Sequence, residues 1–341
     1  MDVRRLGQAG PASSAIGLGG TAFSGAYGTV DVGAGVRVIR HALDLGITLL
    51  DTTCRTRSEE VEQLAGRAIG GRRREVVLAA LARPGNRSLA RACDAALRRM
   101  AVDHLDLFYL DCPAWRRPIE DGVGELAELV TAGKIRHIGL AEPLAGQIHQ
   151  AAAEHAISAI TCEYSLWERR AELDRLPAAR AHRIGVVACR PLGRGFLSGA
   201  ARFGAHLAHD DARRADFRIA RHALGESMRA VRSAEEIAAQ LHLSLARLAL
   251  VWLLAQGGDI VPVPSTRNQV HLEMNASAAG IQPDHALLAR LGTLFPPLQG
   301  PIPEGPPLQG PIPEGPPLQG PTSQGPPLRG PIPQDPPCPG L

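Results

Sequence analysis

Through residue 295 the chain alternates short apolar runs with longer stretches of helical period. The runs are Ala15 to Gly19, Thr48 to Thr52, Val76 to Leu81, Leu105 to Asp111, Arg136 to Ala141, Ile157 to Glu163, Gly185 to Arg190 and Asp259 to Pro264. Each is short enough for a strand and too continuous for a half-exposed one, as expected of a buried parallel sheet. Helical period separates them, clearest over Ser58 to Ile69, Ser88 to Met100 and Gly122 to Ala132. In the last, Val123, Leu126, Leu129 and Val130 share one face, Gly133 reads as the C-terminal cap, and Lys134 opens the next strand. Before the alternation begins, Val3 to Leu6, a turn over Gly7 to Pro11, and Ser14 to Leu18 read as a β-hairpin.

Eight strands, each followed by a crossover, predict an α/β chain folded as a (β/α)₈ TIM barrel with an N-terminal β-hairpin. An open doubly wound sheet is the other arrangement of such a pattern. Its Gly-x-Gly-x-x-Gly turn is missing, because Gly17-Leu-Gly-Gly20 has the wrong spacing. Barrel chemistry gathers where strands end. Those positions are Gly20 and Thr21, Asp51 to Arg55, Leu81, Asp111 and Cys112, Ala141 and Glu142, Thr161 to Tyr164, Cys189 and Arg190, and Pro264 to Arg267.

The pattern stops at Phe295. From Pro296 a decapeptide, Pro-Pro-Leu-Gln-Gly-Pro-Ile-Pro-Glu-Gly, repeats identically to Gly315 and then drifts, and 18 of the 28 prolines lie in residues 296–341. So many missing backbone donors exclude helix and central strand, and the expectation is a disordered Pro/Gly-rich tail sampling polyproline II. The domain reading is therefore a barrel over 1–295 and a repeat tail over 296–341. Segments such as Pro303-Glu-Gly-Pro306 offer a protein partner a docking stretch, although a solvated tandem expansion accounts for the repeat equally.

Charge removes several function classes. Against 37 basic residues stand 34 acidic ones, a net +3, with no Lys/Arg block dense enough for a nucleic-acid face. No apolar run is long enough to span a membrane, and the opening Met1-Asp-Val-Arg-Arg-Leu-Gly lacks the apolar region of a signal peptide. Six scattered cysteines without a Cys-x-x-Cys pair fit reduced thiols, so the cytoplasm is the expected compartment.

Six segments then carry a resemblance: HALDLGITLLDTT from His41, ELVTAGKIRHIGLAE from Glu128, CEYSLWERR from Cys162, PLGRGFLSG from Pro191, LALVWLLAQ from Leu248 and DIVPVPST from Asp259. In this order they resemble the aldo-keto reductase family over about residues 1 to 295. The resemblance implies a barrel that binds NADP(H) without a Rossmann fold and reduces a small-molecule carbonyl substrate. In that family a Tyr donates a proton, a Lys and an Asp tune the Tyr, and a His orients the carbonyl. Carried onto this sequence, only the Asp persists, as Asp51. The Tyr position holds Thr56 or falls in a shortened loop before Ser58-Glu59, the Lys position holds Leu81 and the His position Asp111. A Thr hydroxyl is too weak an acid for the task, Leu81 supplies no charge, and Asp111 is expected to add negative charge near Asp51.

Ala141, Thr161 and Cys189 stand where the family usually has a Ser, a Gln and a nicotinamide-stacking aromatic. The resemblance implies cofactor contacts at Gly20 and Thr21, phosphate contacts at Gly193, Gly195 and Ser198, a 2′-phosphate contact at Thr266 and Arg267, and an adenine contact at Asn275. His271 and Met274 replace the usual Arg and Glu nearby.

Other readings of the same residues stay open. Asp51 serves equally as a helix cap or a partner of Arg55, and the glycines serve turn geometry. Cys54, Cys112, Cys162 and Cys189 with Asp51 and Asp111 carry no metal-ligand spacing, so no metal is expected. Asp51 and Asp111 form a conceivable acid/base pair for a redox-neutral isomerase, dehydratase or cyclase. Three functions follow: a degenerate reductase acting weakly or as a binding protein, an oxidoreductase with Tyr109 or Tyr164 as an unusual proton source, Tyr27 lying in the first loop, or redox-neutral chemistry.

Overall fold

The computed structural model describes residues 1–54, 58–82, 88–199 and 226–297. Thr56 and the repeats beyond residue 297 lie outside them.

Strands β1 (Val3–Arg5) and β2 (Ala12–Ser14) form the antiparallel hairpin, with Val3 opposite Ser14. Its returning strand comes earlier than the 14–18 expected. The turn is held tight by Leu6 N–H donating to the Pro11 carbonyl, and a Cβ on Gly10 would sit 1.7 Å from the Leu6 oxygen. The apolar run after Ser14 is needed elsewhere, because it opens the barrel.

Eight parallel strands follow: β3 (Leu18–Gly19), β4 (Leu49–Asp51), β5 (Val77–Ala82), β6 (Leu105–Asp111), β7 (Ile135–Ala141), β8 (Ile157–Glu163), β9 (Gly185–Cys189) and β10 (Ile260–Pro262). They pair in chain order. Gly17 N–H donates to the Pro262 carbonyl at 2.9 Å and Gly19 N–H to the Pro264 carbonyl at 3.0 Å, joining the last strand to the first. The sheet is a (β/α)₈ barrel.

Alternation along the strands sorts two cores. Leu49, Ala79, Leu107, Tyr109, Ala159, Val187 and Val261 face inward and pack on one another with Leu6 of the hairpin. Leu50, Leu78, Phe108, Leu110, Ile160 and Val186 face outward under the helices. Both faces are buried, which is why the runs read as continuous rather than alternating.

The outer layer includes α1 (Val32–Asp44), α2 (Ser58–Ile69), α3 (Leu89–Met100), α4 (Ile119–Thr131), α5 (Ala145–Glu154), α6 (Arg175–Ala181), α7 (Glu226–Gln240), α8 (Leu245–Leu254), α9 (Gln269–Ala276) and α10 (His285–Leu294). Helix α4 ends as its sequence requires. Gly133, at φ +72°, donates to the Val130 carbonyl and Lys134 N–H to the Leu129 carbonyl, a Schellman cap. The helix starts three residues before the expected Gly122, because Pro118 and the acidic first turn at Glu120 and Asp121 favour helix entry. Gly122 itself is a close-approach residue: a Cβ there would meet Leu110 Cδ2 at 2.7 Å. No single helix among the described residues is long and apolar enough to cross a membrane.

Candidate functional site

A cavity of about 550 Å³ opens at the C-terminal ends of the strands. Its wall runs from Asp51, Thr53 and Cys189 past Gly195 and Ser198 to Thr266 and Asn275. The volume lies in the range of small-molecule and cofactor sites.

Asp51 ends β4 and is 1% exposed. Its Oδ1 accepts the Thr53 N–H at 2.8 Å, while its Oδ2 is buried with no hydrogen-bond partner. Burial pushes the carboxyl up to about 6, against the restraining hydrogen bond from Thr53. Leu81 joins the edge of the inward apolar cluster, so β5 brings no charge to the site. Asp51 thus neither pairs with a described cation nor caps a helix.

Tyr109, on β6 one layer inside Asp111, fills the barrel's interior. Its ring lies where a Cβ on Gly139 would stand, 2.4 Å from Tyr109 Cδ1. The phenol is fully buried and its hydroxyl has no partner. Burial first, then the charges of Asp51 and Cys189, raise it well above the usual phenol range. Thr161 Oγ1, inward on β8, is a third buried polar atom without a partner. Three orphaned polar atoms in one apolar interior are unusual, since each costs stability unless something else satisfies it.

Asp111 corrects an expectation. It sits at the β6 rim, its backbone carbonyl accepting from Ala114 and Trp115, outside the cavity wall. In the strand register Asp51 lies level with Ala79 and Leu107, four residues short of Asp111 on β6, so the two carboxylates are set apart along the barrel. The four strand-end cysteines also separate. Cys54, Cys112 and Cys162 lie in the helix-facing core and only Cys189 packs against the inward cluster. Among the described residues no three His, Cys, Asp or Glu side chains are placed to hold a metal ion.

Sequence reasoning placed Glu142, Glu163 and Arg190 at strand ends without seeing that they meet. Arg190 Nη1 lies 3.1 Å from Glu163 Oε2 and 3.6 Å from Glu142 Oε1. Arg194 approaches Glu163 at 3.5 Å, and Arg175 approaches Glu142 at 3.2 Å. Cys189 Sγ points to Glu142 Oε1 at 3.8 Å. Burial alone would lower the Arg190 pKa, but the carboxylates of Glu163 and Glu142 outweigh it and hold the guanidinium charged. Glu142, Arg190 and Arg194 adopt φ of +50°, +51° and +55°, a conformation that costs non-glycine residues energy. The signal was present as alternating acid and base at the ends of β7, β8 and β9, but the pairing exists only once the barrel closes.

At the other end the turn Gly193–Ser198 brings Gly195, at φ +93°, and Ser198 to the wall. Gly193 is not on the wall; its missing Cβ makes room for Trp167, which would otherwise lie 2.7 Å away. Gly20 is likewise a packing glycine, since a Cβ would meet Val61 Cγ1 at 2.7 Å, while its neighbours Gly19 and Thr21 line the cavity. Thr266 and the 5%-exposed Asn275 are on the wall, as are His271 and Met274. Arg267 is engaged within the chain. Its guanidinium donates to the carbonyls of Tyr27 at 2.8 Å, Gly28 at 3.3 Å and Thr29 at 2.5 Å, clamping the first βα loop. The backbone turn and the far wall fit an extended dinucleotide; the near end is rebuilt by the ionic cluster.

Known proteins agree with this placement. The model of the aldo/keto reductase family matches residues 15–291. Aldo-keto reductase yakc (NADP(+)) of Schizosaccharomyces pombe is 35% identical over 286 residues, 79% of this chain and 84% of that protein. A crystal structure of an aldo-keto reductase from Klebsiella pneumoniae in complex with NADPH superposes with a TM-score of 0.70 at 26% identity, covering 88% of this chain and 98% of that one. A second from the same organism, with NADP and acetate, gives 0.69 at 26% identity over 87% and 98%. Strand order, cavity position and sequence thus converge, and the chain belongs to the aldo/keto reductase family.

Proposed function

We propose that the protein binds NADP(H) in the strand-end cavity and reduces small carbonyl compounds slowly, as a degenerate member of its family. The observation that carries this is Asp51 alone at the base of the cavity wall, its Oδ2 unpartnered and β5 offering Leu81 where a cation would stand. NADPH, when bound, supplies the hydride. The chain's own residues do the rest. The Gly193–Ser198 turn and Thr266 would hold the phosphates, Asn275 would meet the adenine, and the inward apolar layer would exclude water beneath Asp51. With Thr56 at the proton-donor position, proton delivery is the weak step. The complexes of the Klebsiella relatives with NADPH and NADP support the cofactor. The five described free cysteines support a reducing compartment, the cytoplasm.

The test is NADPH fluorescence on titration with the protein, followed by turnover of an ordinary aldehyde. Saturable binding with turnover at least ~10³-fold below a typical reductase is expected, since general acid catalysis alone contributes roughly 10²–10⁴. Absence of binding would sink the cofactor assignment, and ordinary turnover would sink the degenerate reading.

A further inference from the structure

Removing the cation beside a buried carboxyl changes what that carboxyl does. We propose that Asp51 is itself the proton donor to the carbonyl oxygen, a catalytic acid in place of the phenol this chain lacks at Thr56. This rests on the reading that the cavity takes NADP(H).

Three features of the site carry the idea. Asp51 is on the cavity wall at the end of β4. The Thr53 N–H fixes Oδ1 at 2.8 Å, which leaves Oδ2 as the carboxyl oxygen without a hydrogen-bond partner. That atom is buried and unpartnered, so in the protonated form it presents an O–H donor that nothing described in the chain consumes.

The groups facing Asp51 do not oppose this. Tyr109 from β6 and Cys189 from β9 both keep their protons, and Gly19 of β3 with Ala79 and Leu81 of β5 bring no titratable group. The wall's charges, Arg190 and Arg194, are engaged with Glu142 and Glu163; Glu235 of α7, His271 of α9 and Tyr27 complete its titratable lining. Burial holds the Asp51 carboxyl near 6, so the acid is populated under mildly acidic conditions.

Of the three tyrosines, Tyr27 shares the cavity wall and is told apart from Asp51 by the Tyr27→Phe variant, while Tyr164 and Tyr109 are worse placed. Tyr164 donates its hydroxyl to Glu172 Oε1 at 2.8 Å, and Tyr109 has no exposed surface and no place on the wall. The step balances simply. The hydride and its electron pair reach the carbonyl carbon, the C=O π pair moves to oxygen, and that oxygen takes the proton from Asp51 Oδ2. An alcohol, the oxidised nicotinamide and the Asp51 carboxylate remain, and the carboxylate regains its proton from solvent.

The test has two readouts on the full chain. The first is independent of turnover: difference infrared spectra of the apo-protein between about pH 5 and about pH 8 should show a buried carboxylic-acid band titrating near 6, absent in Asp51→Asn. The second is turnover of a reactive aldehyde with NADPH saturating, its binding verified by fluorescence at each pH. Turnover should fall about tenfold per pH unit above the same midpoint, the response expected when one protonated acid is required. Leu81→Lys, which returns a cation to β5, should move both midpoints down together. Asp51→Asn should flatten the profile and lower turnover at least ~10²-fold at the acidic end.

A rate profile that does not fall above about pH 6, or one whose midpoint stays put while the infrared midpoint moves, overturns the proposal. So does loss of turnover in Tyr27→Phe or Tyr109→Phe with the Asp51 band intact, which would transfer the role to that phenol. Failure of NADPH to bind defeats the cofactor reading on its own, and is recognised because the infrared titration survives it.

Discussion

Asp51→Asn should make the protein more stable at neutral pH, and the gain should vanish in acid. The carboxyl titrates at about 6 in the folded chain and at 3.8 when free. At 1.36 kcal/mol per pH unit that difference is ~3 kcal/mol. Its sign is a cost. Below 3.8 both folded and unfolded chains carry the proton and nothing is lost; between 3.8 and about 6 only the unfolded chain ionises, so stability falls as pH rises; above about 6 the whole cost is present. The side chain is 1% exposed, so solvent screening removes little of it. Asn keeps an oxygen for the Thr53 N–H and carries no charge. Urea unfolding of both proteins at about pH 4, 6 and 8 gives the difference directly. The variant should gain up to ~3 kcal/mol at about pH 8 and almost nothing at about pH 4. A difference that does not change with pH, or a variant less stable throughout, would refute the claim that Asp51 is buried without a compensating partner.

Three further outcomes follow from the rest of the site. Arg190→Ala should destabilise the fold by ~3 kcal/mol, because Glu142 and Glu163 then lose their shared cation, and Arg190→Ala with Glu163→Gln should cost less than the single change; chemical denaturation of the series decides it. Gly193→Ala should cost ~1–3 kcal/mol, since the new Cβ meets Trp167 at 2.7 Å in a backbone already at φ +55°; an unchanged thermal midpoint would contradict that packing. Arg267→Ala should weaken NADPH and NADH binding by the same several-fold factor, because Arg267 holds the loop at Tyr27 to Thr29; a loss confined to NADPH would restore the 2′-phosphate role.

The barrel was readable because each strand is buried on both faces and each helix on one, so composition and period report tertiary position. Helix α2 falls on the predicted Ser58 to Ile69, and Gly133 caps α4 as its sequence announces. The hairpin's second strand was placed late because the apolar run from Ala15 serves barrel closure, which local pattern does not distinguish from hairpin pairing. In the site, positions were legible and partners were not. Asp51 and Leu81 lie where the strand ends predicted, and the consequence for Asp51 follows from burial. Glu142, Glu163 and Arg190 come from three strands, and nothing local says that their charges meet. Arg267 was read from its type as a phosphate ligand, whereas its fork is taken by three backbone carbonyls that only the folded loop presents.

Leu6 of the hairpin is fully buried and packs with Leu49, Ala79 and Leu107, so the inward core closes the end of the barrel opposite the cavity and, among the described residues, Asp51 meets the solvent side at the cavity wall. A ligand that fills the cavity would therefore slow the exchange of the Asp51 proton with water. In a rapid pH jump, the amplitude of the first turnover would follow the pH at which the ternary complex was assembled, and later turnovers the pH of the final buffer. The plugged end would thus give a single residue a memory of its past surroundings that lasts as long as the cavity stays filled.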